Sequence, residues 1–176
     1  MRGSLMYILL RQLAQLRRDA GLTRPSTTRP RALSHVDAGS CNGCEHELGL
    51  VISPLYDLER HGLEVVAAPR DADVLLVTGA VTSRMAGALR IAFDAMPEPR
   101  LVAALGDCAL NHGVLGDPSQ LARPLEALLP VDIRIPGCPP SPRVIAEHLL
   151  AILTPVARSA ADGSSEERAS WGQRAR

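Results

Sequence analysis

Aromatic side chains are scarce in this chain. Tyr7, Tyr56, Phe93 and Trp171 are the only ones among 176 residues, so Leu, Val, Ile and Ala must build the core. Net charge is absent too, because nineteen basic residues balance nineteen acidic ones. With no basic stretch interleaved with aromatics, nucleic-acid binding has no footing. Neutrality also gives weak protection against self-association, which favours life inside a complex. Long apolar runs are lacking. Leu5-Met6-Tyr7-Ile8-Leu9-Leu10 falls far short of the ~20 residues of a membrane span. It is followed by no small-residue cleavage site, and Arg17-Arg18 comes after it rather than before, unlike an export signal. Cysteine is rare as well: Cys41, Cys44, Cys108 and Cys138. A core-rich chain of this length is no disulfide scaffold, so the thiols are expected to be reduced, in the cytoplasm.

Residues Leu5 to Leu16 place apolar side chains at helical spacing, with Arg11, Arg17 and Arg18 to the side. This predicts an amphipathic helix, lying either on its own domain or against a membrane surface or membrane partner. A Pro/Arg/Thr-rich linker follows, so residues 1–32 form an N-terminal arm. The globular part, residues 33–155, alternates strands and helices. Strands are expected at Ser34–Ala38, Leu63–Ala68, Val74–Thr78, Leu101–Leu105 and Val131–Ile135. Helices are expected at Glu45–Ile52, Ser83–Met96, Gln120–Leu129 and Pro142–Leu153, with a further helical turn in Pro54–Arg60. The continuous apolar run Val74–Thr78 suits a strand buried on both faces. Residues 156–176, rich in Ser, Glu, Arg and Gly, are expected to be a disordered tail. The fold class is α/β, a parallel sheet flanked by helices.

In such sheets ligands sit beyond the carboxyl ends of the strands, near the point where strand order reverses. The cysteines follow the first, fourth and fifth strands, so all four are expected along that one edge. Scattered structural cysteines have no reason to obey this rule. The pair Cys41-Asn42-Gly43-Cys44 alone fits half a zinc site, a redox dithiol or half an iron–sulfur site. A dithiol enzyme leaves Cys108 and Cys138 unexplained. Structural zinc prefers two close pairs, whereas iron–sulfur clusters accept dispersed thiolates. A 4Fe–4S cluster is modestly favoured on these grounds, with a zinc-stabilised scaffold as the rival.

Five segments then match a family in order. They are His35-Val36-Asp37-Ala38-Gly39-Ser40-Cys41-Asn42-Gly43-Cys44-Glu45-His46-Glu47, the run from Ala72 to Thr82, Met96-Pro97-Glu98-Pro99-Arg100, Gly106-Asp107-Cys108-Ala109, and Pro130 to Pro142. The chain resembles the small electron-transfer subunit of membrane-bound, energy-converting nickel–iron hydrogenases, of the formate hydrogenlyase and hydrogenase-4 kind. It also resembles the homologous 20 kDa subunit of complex I, the NADH-quinone oxidoreductase. The likeness spans residues 33–153. It implies a flavodoxin-like fold carrying one 4Fe–4S cluster on Cys41, Cys44, Cys108 and Cys138, in an oxidoreductase subunit that relays electrons and is not catalytic alone. It implies as partners a large hydrogenase-like subunit, a ferredoxin-like iron–sulfur subunit and membrane-arm subunits, with the chain peripheral on the inner face of the cell membrane. Complex I subunits have adjacent cysteines at the first ligand pair, and this chain has the spaced pair of the hydrogenases. The complex I reading, with quinone as acceptor, is the alternative.

Three polar residues are candidates for a proton relay or for contact around the cluster. Glu47 matches a family acid, although an exposed helix-start carboxylate explains it equally well. His112 stands where the family has small residues, in the loop after Cys108, and a surface histidine is the commoner outcome. Arg84 could reach the cluster edge or a partner, or only cap a surface.

Overall fold

The computed structural model describes residues 30–111 and 118–153. The expected N-terminal helix, the tail and His112 lie outside the described residues. Five strands form one parallel sheet: β1 (Arg31–Asp37), β2 (Leu63–Val65), β3 (Val74–Thr78), β4 (Leu101–Leu105) and β5 (Ile133–Ile135). Their spatial order is β2-β1-β3-β4-β5. This is the flavodoxin-like doubly wound arrangement, with strand order reversing between β1 and β3.

Alternation along the central strands builds two cores. Val74 and Leu76 of β3, with Ala103 and Leu105 of β4, enter the core on one face. That face is covered by α1 (Gly43–Ile52) through Leu48 and Val51, and by a C-terminal helix (Pro142–Ala151) through Ile145 and Leu149. Leu75, Val77, Val102 and Ala104 point the other way, toward α2 (Met85–Asp94) with Leu89 and Phe93. Two shorter helices complete that side, α3 (Asp107–Asn111) and α4 (Leu125–Leu128), which makes the C-terminal helix α5. Every residue of β3 is buried, as its unbroken apolar run requires.

The expected elements and the observed ones differ where proline intervenes. No single helix spans residues 120–129. A 3-10 turn at Pro118–Gln120 and a bridge from Leu121 to Thr82 come first, and α4 starts only after Pro124. A continuous helix would put Pro124 in its interior, where it has no N–H to donate and also disfavours helical geometry at Arg123. β1 begins at Arg31, three residues earlier than expected, because Arg31, Ala32 and Leu33 pair with β2. α3 was not expected at all. Its first residues follow Gly106 directly, in a segment too short to show periodicity.

Candidate metal centre

All four cysteines lie at the carboxyl edge of the sheet. Cys41 and Cys44 stand in the β1–α1 connection and the first turn of α1, Cys108 opens α3 after β4, and Cys138 follows β5. None is in a disulfide. Cys41 and Cys138 are exposed, while Cys44 and Cys108 are half-buried.

The thiols feel one another. Burial pushes the Cys44 thiol up to about 12, with further contributions from Glu45, Cys108, Cys41 and Cys138. Cys108 is raised by burial first, then by Cys138, Cys41 and Asp107, and by a hydrogen bond with Cys138. Among the described residues no group of three or more His, Cys, Asp or Glu side chains is disposed to hold a metal ion. The grouping is therefore evident from mutual electrostatics and loop geometry, not from a closed cage.

Each loop is braced. The Asp37 carboxylate Oδ1 accepts from the N–H groups of Gly39 and Ser40, both at 2.8 Å. The Ser40 hydroxyl accepts from the N–H of Asn42 at 3.1 Å, and Asn42 takes a left-handed φ of 67° before α1. The β4 and β5 loops are tied to each other. The Gly106 N–H donates to Ile135 O at 2.8 Å and the Asp107 N–H to Gly137 O at 2.9 Å. In return, the Gly137 N–H donates to Asp107 Oδ1 at 2.8 Å.

Gly106 is the glycine that a sulfur packs on. At φ +89° it has a left-handed backbone, and a Cβ there would lie 2.5 Å from Cys44 Sγ. The same atom at Gly43 would make only ordinary contact, 3.5 Å from Cys41 Sγ, so Gly43 is not demanded by sulfur approach. Gly137 does take the positive φ expected before Cys138, at +138°.

Beside Cys44 lies a polar trio of His35, Thr78 and Glu45. His35 Nε2 is 2.8 Å from the Oγ1 of buried Thr78 and 3.8 Å from Glu45 Oε1. Burial lowers the His35 pKa against the opposing pull of Glu45 and Asp37. The lowered His35 pKa weakens any ion-pair character of its contact with Glu45. Both Glu45 carboxylate oxygens are buried without a hydrogen-bond partner. Glu45 thus faces inward rather than only decorating a helix start. Of the other candidates, Glu47 is half-buried on α1 and Arg84 is exposed just before α2.

The sequence matches a family model described as NADH ubiquinone oxidoreductase, 20 Kd subunit, over residues 41–152. It is 39% identical over 124 residues to a probable membrane-bound hydrogenase subunit, mbhJ, of Pyrococcus furiosus, covering 70% of this chain and 74% of that protein. It is 44% identical over 107 residues to formate hydrogenlyase subunit 7 of Escherichia coli, covering 61% of this chain and 42% of that one. The structure is similar to a chain of the archaeal membrane-bound sulfane sulfur reductase, with a TM-score of 0.64 and 27% identity over 83% of this chain and 82% of that chain. A chain of an NAD+-reducing [NiFe]-hydrogenase shares the fold, with a TM-score of 0.58 and 21% identity over 71% of this chain and 92% of that one. The chain belongs to the family of the 20 kDa subunit of NADH ubiquinone oxidoreductase, whose relatives include hydrogenase subunits.

Proposed function

We propose that this chain is an electron-transfer subunit holding one 4Fe–4S cluster on Cys41, Cys44, Cys108 and Cys138, within a membrane-associated complex of hydrogenase or formate hydrogenlyase type. The observation that carries this reading is that four free thiols, placed after β1, β4 and β5, all lie at the carboxyl edge of the sheet, where Cys44 and Cys108 feel the charges of the others. The donor set fits the group: four sulfurs, no disulfide, and a glycine at position 106 that leaves room for the Cys44 sulfur. When bound, the cluster would accept and release single electrons.

The chain's own residues prepare that site. Raised thiol pKa values keep Cys44 and Cys108 protonated until metal displaces the protons, so loading releases acid. The exposed Cys41 and Cys138 leave one side of the site open to a partner. The expected partners are a large hydrogenase-like subunit, a ferredoxin-like subunit and membrane-arm subunits, on the inner face of the membrane. No described helix is long and apolar enough to cross a membrane, in keeping with a peripheral position. Exposed Arg84 is suited to a partner contact, and Glu47 remains the candidate for proton relay.

A complex I-type role, delivering electrons to quinone, is the second reading, favoured by the description of the family model. The spaced Cys41–Cys44 pair and the names of the relatives favour the first.

The test is anaerobic purification of the complex from its host through a tag on this chain, with metal and sulfide assays and EPR after reduction. Iron and acid-labile sulfide at about four each per chain, with a reduced-cluster signal, support the relay. Zinc without iron or sulfide overturns it. Co-purifying nickel supports the hydrogenase branch, and its absence supports a complex I-like or repurposed branch.

A further inference from the structure

We infer that Asp107 is a positioning residue for the metal centre, locking Cys108 and Cys138 into one unit through its Oδ1. The inference rests on the cluster reading above. Cys108, in the first turn of α3, and Cys138, in the loop after β5, lie thirty residues apart in sequence. Besides the Gly106 N–H to Ile135 O bond, a two-point exchange at Asp107 joins the two segments. Its N–H donates to Gly137 O at 2.9 Å, and its Oδ1 accepts from Gly137 N–H at 2.8 Å. Each bond partner is adjacent in sequence to a cysteine, so the clasp fixes the two sulfur-bearing residues relative to each other. A backbone–backbone bond survives any side-chain change. The Oδ1 bond is the half that depends on residue identity, and it holds the Gly137 N–H in place. Gly137 has φ +138°, a region open to glycine, and the Asp107 Oδ1 acceptor helps to hold its N–H there.

A matched brace on the same strand pair supplies the contrast. Asp132 Oδ2 accepts from the Val102 N–H at 2.8 Å, joining the β5 approach to β4 at the opposite edge of the sheet. Asp73 does the same for β1, accepting from the Ala32 N–H at 2.9 Å. Carboxylate braces therefore occur at both edges of the sheet. Of these three acids, only Asp107 joins two thiol-bearing segments, whereas Asp37 braces the Cys41 loop within itself. A purely structural role would make Asp107 and Asp132 equivalent, whereas a positioning role would separate them.

The test uses the tagged complex purified anaerobically, comparing the parent with D107A, D107N and D132A. Iron, sulfide, EPR g values and the midpoint potential are read on each. The parent's iron, sulfide and EPR signal test the cluster reading by themselves. Given that signal, D107A is expected to lose part of its iron and sulfide, with shifted or broadened g values in what remains. D107N keeps an oxygen acceptor and is expected to restore the parent's iron content and g values. D132A is expected to leave both unchanged, whatever it does to stability. Parental iron and g values in D107A overturn the inference, as does equal cluster loss in D107A and D132A. If D107A yields no complex, D107N decides: retained cluster and g values support the acceptor role, and a lost cluster refutes it.

Discussion

Replacing Gly106 with alanine tests the close approach at the centre of the site. The backbone there is left-handed, at φ +89°. Forcing a residue with a Cβ into that region costs about 1–2 kcal/mol. Sterics add to this. The new methyl carbon would lie 2.5 Å from Cys44 Sγ, whereas relaxed contacts need about 3.5–4 Å. The sulfur or the β4 loop must therefore give way by about 1 Å, a large fraction of a metal–sulfur bond of about 2.3 Å. Two losses are expected. The metal-free chain should unfold at lower urea concentration, by at least the backbone cost. The purified complex should carry less iron and sulfide than the parent, with an altered EPR signal. The two readouts separate general weakening from displacement of the sulfur. An unchanged urea midpoint together with full iron and sulfide would show that Cys44 does not pack on Gly106, and the geometry argued for the site would be wrong.

Gly87 is the converse case, exposed inside α2, where an added Cβ would have nothing within 4 Å. G87A should stabilise the chain by about 0.5–1 kcal/mol in urea titrations, with iron content unchanged. Truncating fully buried Leu75 to alanine should cost about 2–5 kcal/mol on the same assay. Burial depresses His35 below its ordinary 6.5, so near and below that pH the unfolded chain binds a proton that the native chain refuses. Stability should be full above pH 6.5 and fall as the pH drops through the depressed value, and H35Q should flatten that acid limb. On the metal-free chain at mildly alkaline pH, exposed Cys41 and Cys138 should be alkylated before Cys44, whose thiol is held up to about 12, as mass spectrometry of timed samples would show.

The strands that carry the sheet were legible because their physics is local. Val74–Thr78 and Leu101–Leu105 are unbroken apolar runs bounded by turn residues, and the structure keeps both spans. The arrival of all four cysteines at one edge was legible because it needs only the parallel α/β rule and their places after strands. The helix expected over 120–129 does not form because Pro124 interrupts it, and only Leu125–Leu128 turns α-helical. The polar surroundings of the thiols were not legible. His35 meets Thr78 across a separation of 43 residues, and Asp107 meets Gly137 across 30. Nothing in the local pattern distinguishes Asp107 from any other helix-start acid, or Glu45 from Glu47. Only the folded register turns one inward and gives the other a half-buried site on α1.

The outer strands of the sheet, β2 and β5, are three residues each. A rim of that length presents only about 10 Å of unpaired backbone, room for a ladder bond or two with a newcomer. With no net charge to keep copies apart, the shortness of these rims works against strand-on-strand pairing. The same shortness bears on how the subunit joins anything larger. Among the described residues, helix faces and loops offer far more contact surface than the sheet's short edges.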